Sequence, residues 1–161
     1  MRRSGIAILP TRLDDIDLKI LRELQADGRM TNVELARRVG MSAPPCLRRV
    51  RALEEAGIIR GYRALVDEKA LGYEIVFFAF VHLASQAETD LAAFQARMRD
   101  WPAVRECWTL SGDIDFMLKC VAPDLRAFQA LVAELTALPN VRTIRTAVAL
   151  ENVKDEAIAP I

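Results

Sequence analysis

The run Ile75-Val76-Phe77-Phe78-Ala79-Phe80-Val81-His82-Leu83 is apolar at odd and even positions alike, with His82 its one polar interruption. A strand with one wet face alternates apolar and polar residues, so a run of this kind is a strand that needs cover on both faces. It falls well short of the ~20 apolar residues that span a bilayer as a helix, and no longer apolar run occurs, so the chain is expected to be soluble with no membrane partner.

The residues beyond this strand supply cover for one face only. An amphipathic helix carrying Leu91, Phe94 and Met98 comes next, then strands over Val104–Leu110 and Asp115–Val121 separated by Ser111-Gly112-Asp113. Asp124 caps a helix bearing Leu125, Phe128, Leu131, Val132 and Leu135, and Val141–Leu150 is the last strand. The order βαββαβ is the ferredoxin-like arrangement, an antiparallel sheet with both helices on one face. The other face of the first strand must then bury itself against a second subunit, which predicts a homo-oligomer, a dimer at least.

Upstream the pattern is helical. Ile16, Ile20, Leu21 and Leu24 recur at helical spacing over residues 14–25 and stop at Gly28. Thr31 with Glu34 three residues later reads as a capping box for a second helix, with Val33, Leu35, Ala36 and Val39 as its apolar face and Gly40 as its end. A third helix starts at the N-cap Ser42, takes Pro44 and Pro45 into its first turn, and runs to about Ala56. Two helices joined by Gly40-Met41-Ser42 have the spacing of a helix-turn-helix, and Ile58–Arg63 with Ala64–Val66 read as a small two-stranded wing.

The whole chain is formally neutral, which hides an asymmetry. Residues 1–66 hold 13 Lys and Arg against 8 Asp and Glu, a balance of +5, and residues 67–161 carry −5. One half is suited to a polyanion and the other to something else. The expected class is therefore α+β: an N-terminal tail over 1–12, a winged helix-turn-helix over 13–66, a hinge over the charged segment 67–74, a ferredoxin-like domain over 75–155 and a C-terminal tail over 156–161. The basic opening Met1–Pro10 has too short an apolar stretch for a secretory signal of ~7 to 15 residues, so a cytoplasmic location is expected.

On the third helix Cys46, Val50 and Leu53 point inward, whereas Pro44, Arg48, Arg51 and Glu55 point out. Ser42, Arg48 and Arg51 sit near a helix start, where partial positive charge and free N–H groups favour DNA phosphates or guanine edges. Arg49 lies on the flank, and Arg37 and Arg38 face outward on the preceding helix, which in a helix-turn-helix crosses the DNA backbone. Any one of these arginines alone reads as a solvated surface residue; their number on this scaffold favours double-stranded DNA as the partner.

Elsewhere the chemistry is sparse. On spacing alone Ser111–Asp115 reads as a hairpin turn, since Gly and Asp are the commonest turn residues. Cys46, Cys107 and Cys120 are widely spaced with no C-x-x-C pair and only His82 for company, which reads as reduced, buried thiols and no metal site. Asp113 and Asp115 lack a nucleophile beside them, so no catalytic residue and no cofactor are expected, and an enzyme of amino-acid metabolism is the weaker reading. A module that has lost DNA affinity is disfavoured by the arginines retained.

Leu13-Asp14-Asp15-Ile16-Asp17, Asp27-Gly28-Arg29, Asn32-Val33-Glu34-Leu35-Ala36, Pro45-Cys46-Leu47-Arg48-Arg49-Val50 and Gly57-Ile58-Ile59-Arg60-Gly61-Tyr62, read together, resemble the DNA-binding half of the Lrp/AsnC family of transcription regulators. Leu110-Ser111-Gly112-Asp113-Ile114-Asp115-Phe116, Pro123-Asp124, Leu138-Pro139-Asn140-Val141 and Glu151-Asn152-Val153-Lys154 continue the likeness, which runs from about Leu13 to Asp155. The resemblance implies a winged helix-turn-helix hinged to an effector domain, dimers that gather into octamers, and an amino acid such as leucine bound between dimers. It makes Ser111, Gly112, Asp113 and Asp115 effector-site candidates. Two departures stand out: Phe116 where tyrosine is usual, which removes any hydroxyl contact there, and Ala43-Pro44-Pro45 in place of a Ser-Pro-Thr-Pro start, which removes a potential hydroxyl contact to DNA.

Overall fold

A computed structural model describes residues 13–161; the tail expected over 1–12, with its reading as too short a signal, lies outside them. The chain divides into two compact units, one running up to Leu65 together with Asp155–Ile161 and the other spanning Val66–Lys154.

The first unit is built on three helices. Helix α1 (Asp15–Ala26) begins where Asp14, in extended conformation, accepts the N–H groups of Ile16 and Asp17 while the Asp17 carboxylate accepts the Asp14 N–H, a full capping box. Helix α2 (Asn32–Val39) is capped by the Thr31 hydroxyl on the Glu34 N–H and ends at Gly40, whose φ of 77° is the left-handed conformation that glycine adopts without penalty. The other half of the expected Thr31–Glu34 box does not form, because the Glu34 carboxylate is taken by Arg37 and Arg38. Val33, expected on the apolar face of α2, is 70% exposed: it lies two residues before Leu35, about 200° away around the helix. Helix α3 (Ala43–Glu55) has Pro44 and Pro45 in its first turn. Ile20, Leu21, Leu35, Ala36, Val39, Cys46 and Leu53 form the core of this unit, with Ile161 packed at its margin. Asp155–Ile161, of which 156–161 were expected as a tail and Asp155 as part of the second domain, lies along α1, where Arg22 Nε donates to the Ile161 carbonyl at 2.8 Å and Gln25 Nε2 to the Ala159 carbonyl at 3.1 Å.

The two-stranded wing expected over 58–66 has no ladder. Gly61 stands at φ 147° in the middle of the first expected strand, and Tyr62 folds back, its hydroxyl donating to Glu54 of α3 at 3.0 Å while its ring lies against Gly28. Glycine inside a short strand weakens it, and an isolated hairpin with no packed face has little to hold it.

The second unit is the βαββαβ arrangement: β1 (Ile75–Leu83), α4 (Glu88–Arg99), β2 (Val104–Thr109), β3 (Phe116–Ala122), α5 (Leu125–Thr136) and β4 (Val141–Val148). The sheet order is β2-β3-β1-β4 and every pairing is antiparallel. Residues 67–73 fold into a tight turn in which Asp67 accepts the N–H groups of Lys69 and Ala70. On the inner face Phe77, Ala79, Val81 and Leu83 of β1 meet Phe116, Leu118 and Cys120 of β3 beneath Phe94, Met98, Leu131 and Leu135 of the helices. Burial pushes the Cys120 thiol up to about 12, the behaviour of an inert core cysteine; Cys107, expected buried, is exposed on the edge strand β2. The alternate residues of β1, Val76, Phe78, Phe80 and His82, lie on the outer face and are only half buried. Register places them beside Met117, Lys119 and Val121 of β3, Thr143, Arg145 and Ala147 of β4, and, across β3, Trp108 of β2, which is 45% exposed.

A candidate nucleic-acid interface and effector loop

Helix α3 presents an exposed side made of Ser42, Pro44, Arg48 and Arg51, opposite the buried Cys46 and Leu53. A serine N-cap ordinarily accepts the N–H of the second or third helical residue, but here those residues are Pro44 and Pro45, which have none. The Ser42 hydroxyl is therefore left without a cap bond, and of the free N–H groups expected at this helix start, two do not exist. The start of α3 is tied to α2 by Asn32, whose Nδ2 donates to the Ala43 carbonyl at 2.8 Å.

The arginines divide into two sets. Arg37 is 2.7 Å and Arg38 2.8 Å from the Glu34 carboxylate, and Arg38 also reaches Glu23 at 3.0 Å. Hydrogen bonds from Arg37 and then Arg38 hold the Glu34 carboxyl down to about 2, so this carboxylate stays charged far into acid. Arg49, expected on the DNA flank, instead turns toward α1, with Nη1 2.8 Å from both Asp14 and Asp17. Arg48 and Arg51 have no ion pair among the described residues, which leaves them the unpaired guanidinium groups of α3.

The second candidate site lies at one end of the sheet, where three loops meet. Asn140, at φ 66°, donates to the Ser85 carbonyl and accepts the Ser85 N–H, joining the α5–β4 and β1–α4 loops. Asp115 joins the latter to the β2–β3 loop: its carboxylate accepts the Leu83 N–H at 2.7 Å and the Gln86 amide at 2.8 Å. Expected with the effector residues, Asp115 is 8% exposed with both oxygens occupied, so it braces the loop from beneath. Above it Ser111, Gly112 and Asp113 are exposed, and Gly112 takes φ 113°, which a side chain would strain. Phe116 faces inward, fully buried with its ring 4.6 Å from that of Phe94, so the missing tyrosine hydroxyl is a difference of the core.

Sequence reasoning missed Arg49's partners, Asn32, Gln86 and Asn140. The Asp14-x-x-Asp17 spacing was a readable sign of a capped helix start; nothing local links it to a residue on another helix.

Comparison with known proteins agrees with this architecture. Residues 13–60 match the winged helix-turn-helix DNA-binding family and residues 76–158 match the Lrp/AsnC ligand binding domain. The chain is 60% identical over 149 residues to the leucine-responsive regulatory protein of Rhizobium meliloti, covering 92% of this chain and 96% of the relative. It is 45% identical to the Bkd operon transcriptional regulator of Pseudomonas aeruginosa over 92% of this chain and 98% of the relative. Among solved structures, a transcriptional regulator of Neisseria meningitidis in complex with L-Met superposes with a TM-score of 0.87 at 37% identity, covering 92% of this chain and 96% of that one.

Proposed function

We propose, from the premise that this chain belongs to the Lrp/AsnC family of DNA-binding transcription regulators, that it reads duplex DNA with Ser42, Arg48 and Arg51 and that the loop Ser111–Asp113 takes an apolar amino acid. The observation that carries the first part is the division of the arginines: their neighbours spend their charge on Glu34, Asp14 and Asp17, and Arg48 and Arg51 do not. Arg48 is the base-reading candidate, since a guanidinium pairs with guanine through two parallel bonds, and Arg37 and Arg38 supply weaker, exchangeable phosphate contacts. Arg48→Ala should weaken binding to a duplex selected from a random pool by roughly 1 to 3 kcal/mol and relax preference at one base position. Fluorescence anisotropy at fixed salt decides it, and wild-type affinity in the variant would make Arg48 a plain surface residue.

For the effector, the L-Met carried by the Neisseria regulator and the name of the Rhizobium relative point to leucine or methionine. Asp113, an exposed carboxylate, would receive the ammonium group, and Gly112, with φ 113° and no side chain, would let the backbone approach the ligand closely. A ligand alters DNA output only by binding two states of the protein unequally. Asp113→Ala should therefore abolish the response to the amino acid while leaving affinity for the selected duplex, without amino acid, within a few-fold. Calorimetry against leucine, methionine and lysine tests this, and undiminished ligand affinity in the variant would return the loop to an ordinary turn. The half-buried outer face of the sheet supports a dimer, octamers are what the family implies, and the cytoplasm, where the chromosome is, is the proposed location.

A further inference from the structure

The ion pairs of Arg49 do more than fill a surface. Each carboxylate that holds it is itself fixed by the backbone: Asp14 spends Oδ1 on the N–H groups of Ile16 and Asp17 and turns Oδ2 to Arg49, and Asp17 spends Oδ2 on the Asp14 N–H and turns Oδ1 to Arg49. Exposed ion pairs contribute little because two flexible side chains must be ordered to make them. Here the acids are ordered by the capping box before the arginine arrives, and the Asp17 side chain is only 16% exposed. The guanidinium thus docks onto a rigid seat at the start of α1.

We propose that Asp14 and Asp17, by seating Arg49, fix the rotation of α3 about its own axis and so aim Arg48 and Arg51. Arg49 is then a positioning residue, not a DNA contact. Residues on a helix are offset by about 100°, so a guanidinium pinned at 49 sets the directions of Arg48, one step before, and Arg51, two steps after. Asn32 fixes where α3 starts, Cys46 and Leu53 hold its inner side in the core, and the seat of Arg49 fixes its flank. The inference rests on the reading of Arg48 and Arg51 as the DNA-reading residues.

Its test turns on a sign. Simple electrostatics holds that removing two acids beside a DNA-binding helix, and freeing an arginine, tightens binding to any duplex. Seating holds that the same change weakens specific binding. In the full chain, D14N/D17N removes the charge while keeping the cap, since asparagine caps as well as aspartate. Anisotropy with the selected duplex and an unrelated duplex of equal length should show D14N/D17N and R49M each binding the selected duplex about tenfold more weakly. The triple variant should be no weaker than either, because all three residues act as one unit. Affinity for the unrelated duplex should hold or rise. Tighter binding of both duplexes by D14N/D17N overturns the proposal, as does an additive loss in the triple variant with a shallower salt dependence for R49M, which makes Arg49 a phosphate contact. If D14N/D17N melts below the assay temperature, R49M decides alone, and unchanged selectivity between the duplexes overturns it. R48A in the same plates keeps the two readings apart: if it binds as wild type, the assignment of Arg48 falls, whatever the acids do.

Discussion

Phe78→Glu should leave a folded protein that sediments as an 18.0 kDa monomer, and Phe77→Glu should leave no folded second unit at all. The two phenylalanines are neighbours with opposite surroundings. Phe77 is fully buried, its ring 4.8 Å from Phe128 in an edge-on arrangement, whereas Phe78 lies on the outer face between Lys119 and Ala147. Removing a buried phenylalanine costs about 3 to 5 kcal/mol, and an unpaired carboxylate in its place costs more, which together exhaust the stability of an ordinary domain. On the outer face the same carboxylate has water on the free chain, and in the proposed dimer it would meet its own copy across a two-fold interface, where both desolvation and like-charge repulsion oppose assembly. Circular dichroism and sedimentation velocity separate the outcomes. A folded Phe78→Glu of unchanged mass would remove the case for a sheet-to-sheet dimer.

Asp115→Ala should lower the stability of the second unit by roughly 2 to 4 kcal/mol, because it removes two bonds to a carboxylate and strands the buried Leu83 N–H. For a unit of this size that corresponds to a melting point lower by about 10 °C or more. Asp115→Asn separates a brace from a charged ligand contact. The asparagine oxygen can take the Leu83 N–H, and its amide group can meet a flipped Gln86, so stability should stay within about 1 kcal/mol of the original and the amino-acid response should persist. Scanning calorimetry gives the first quantity and titration the second. A stable Asp115→Asn protein that no longer binds the amino acid would put the carboxylate back in the effector site.

The periodicities carried most of the fold. A strand apolar at both parities, two amphipathic helices and a glycine-punctuated helix pair left few ways to arrange the chain: the four strands lie within a residue or two of where the pattern puts them, and α4 and α5 carry the apolar residues expected of them. Most of the failures have one physical origin, which is that a side chain's partner is chosen by the tertiary fold. Arg49 looks like Arg48 in sequence, yet one is consumed by acids more than thirty positions away and the other is not. Asp113 and Asp115 look like a pair, but the hairpin turns one outward and the other beneath the loop. The wing failed differently: β-forming residues were present, but Tyr62 found a better partner in Glu54 than the hairpin offered.

The return of Asp155–Ile161 to α1 makes the sheet-bearing unit an insertion within the helical one, entered after Leu65 and left after Lys154. A body on one leash can swivel in any direction; a body on two must take up every displacement at both attachments at once. The chain therefore passes between the two units twice, once at Leu65–Val66 and again at Lys154–Asp155. Cutting the chain after Val148 would not merely trim a tail: it would change a doubly anchored part into a pendant one.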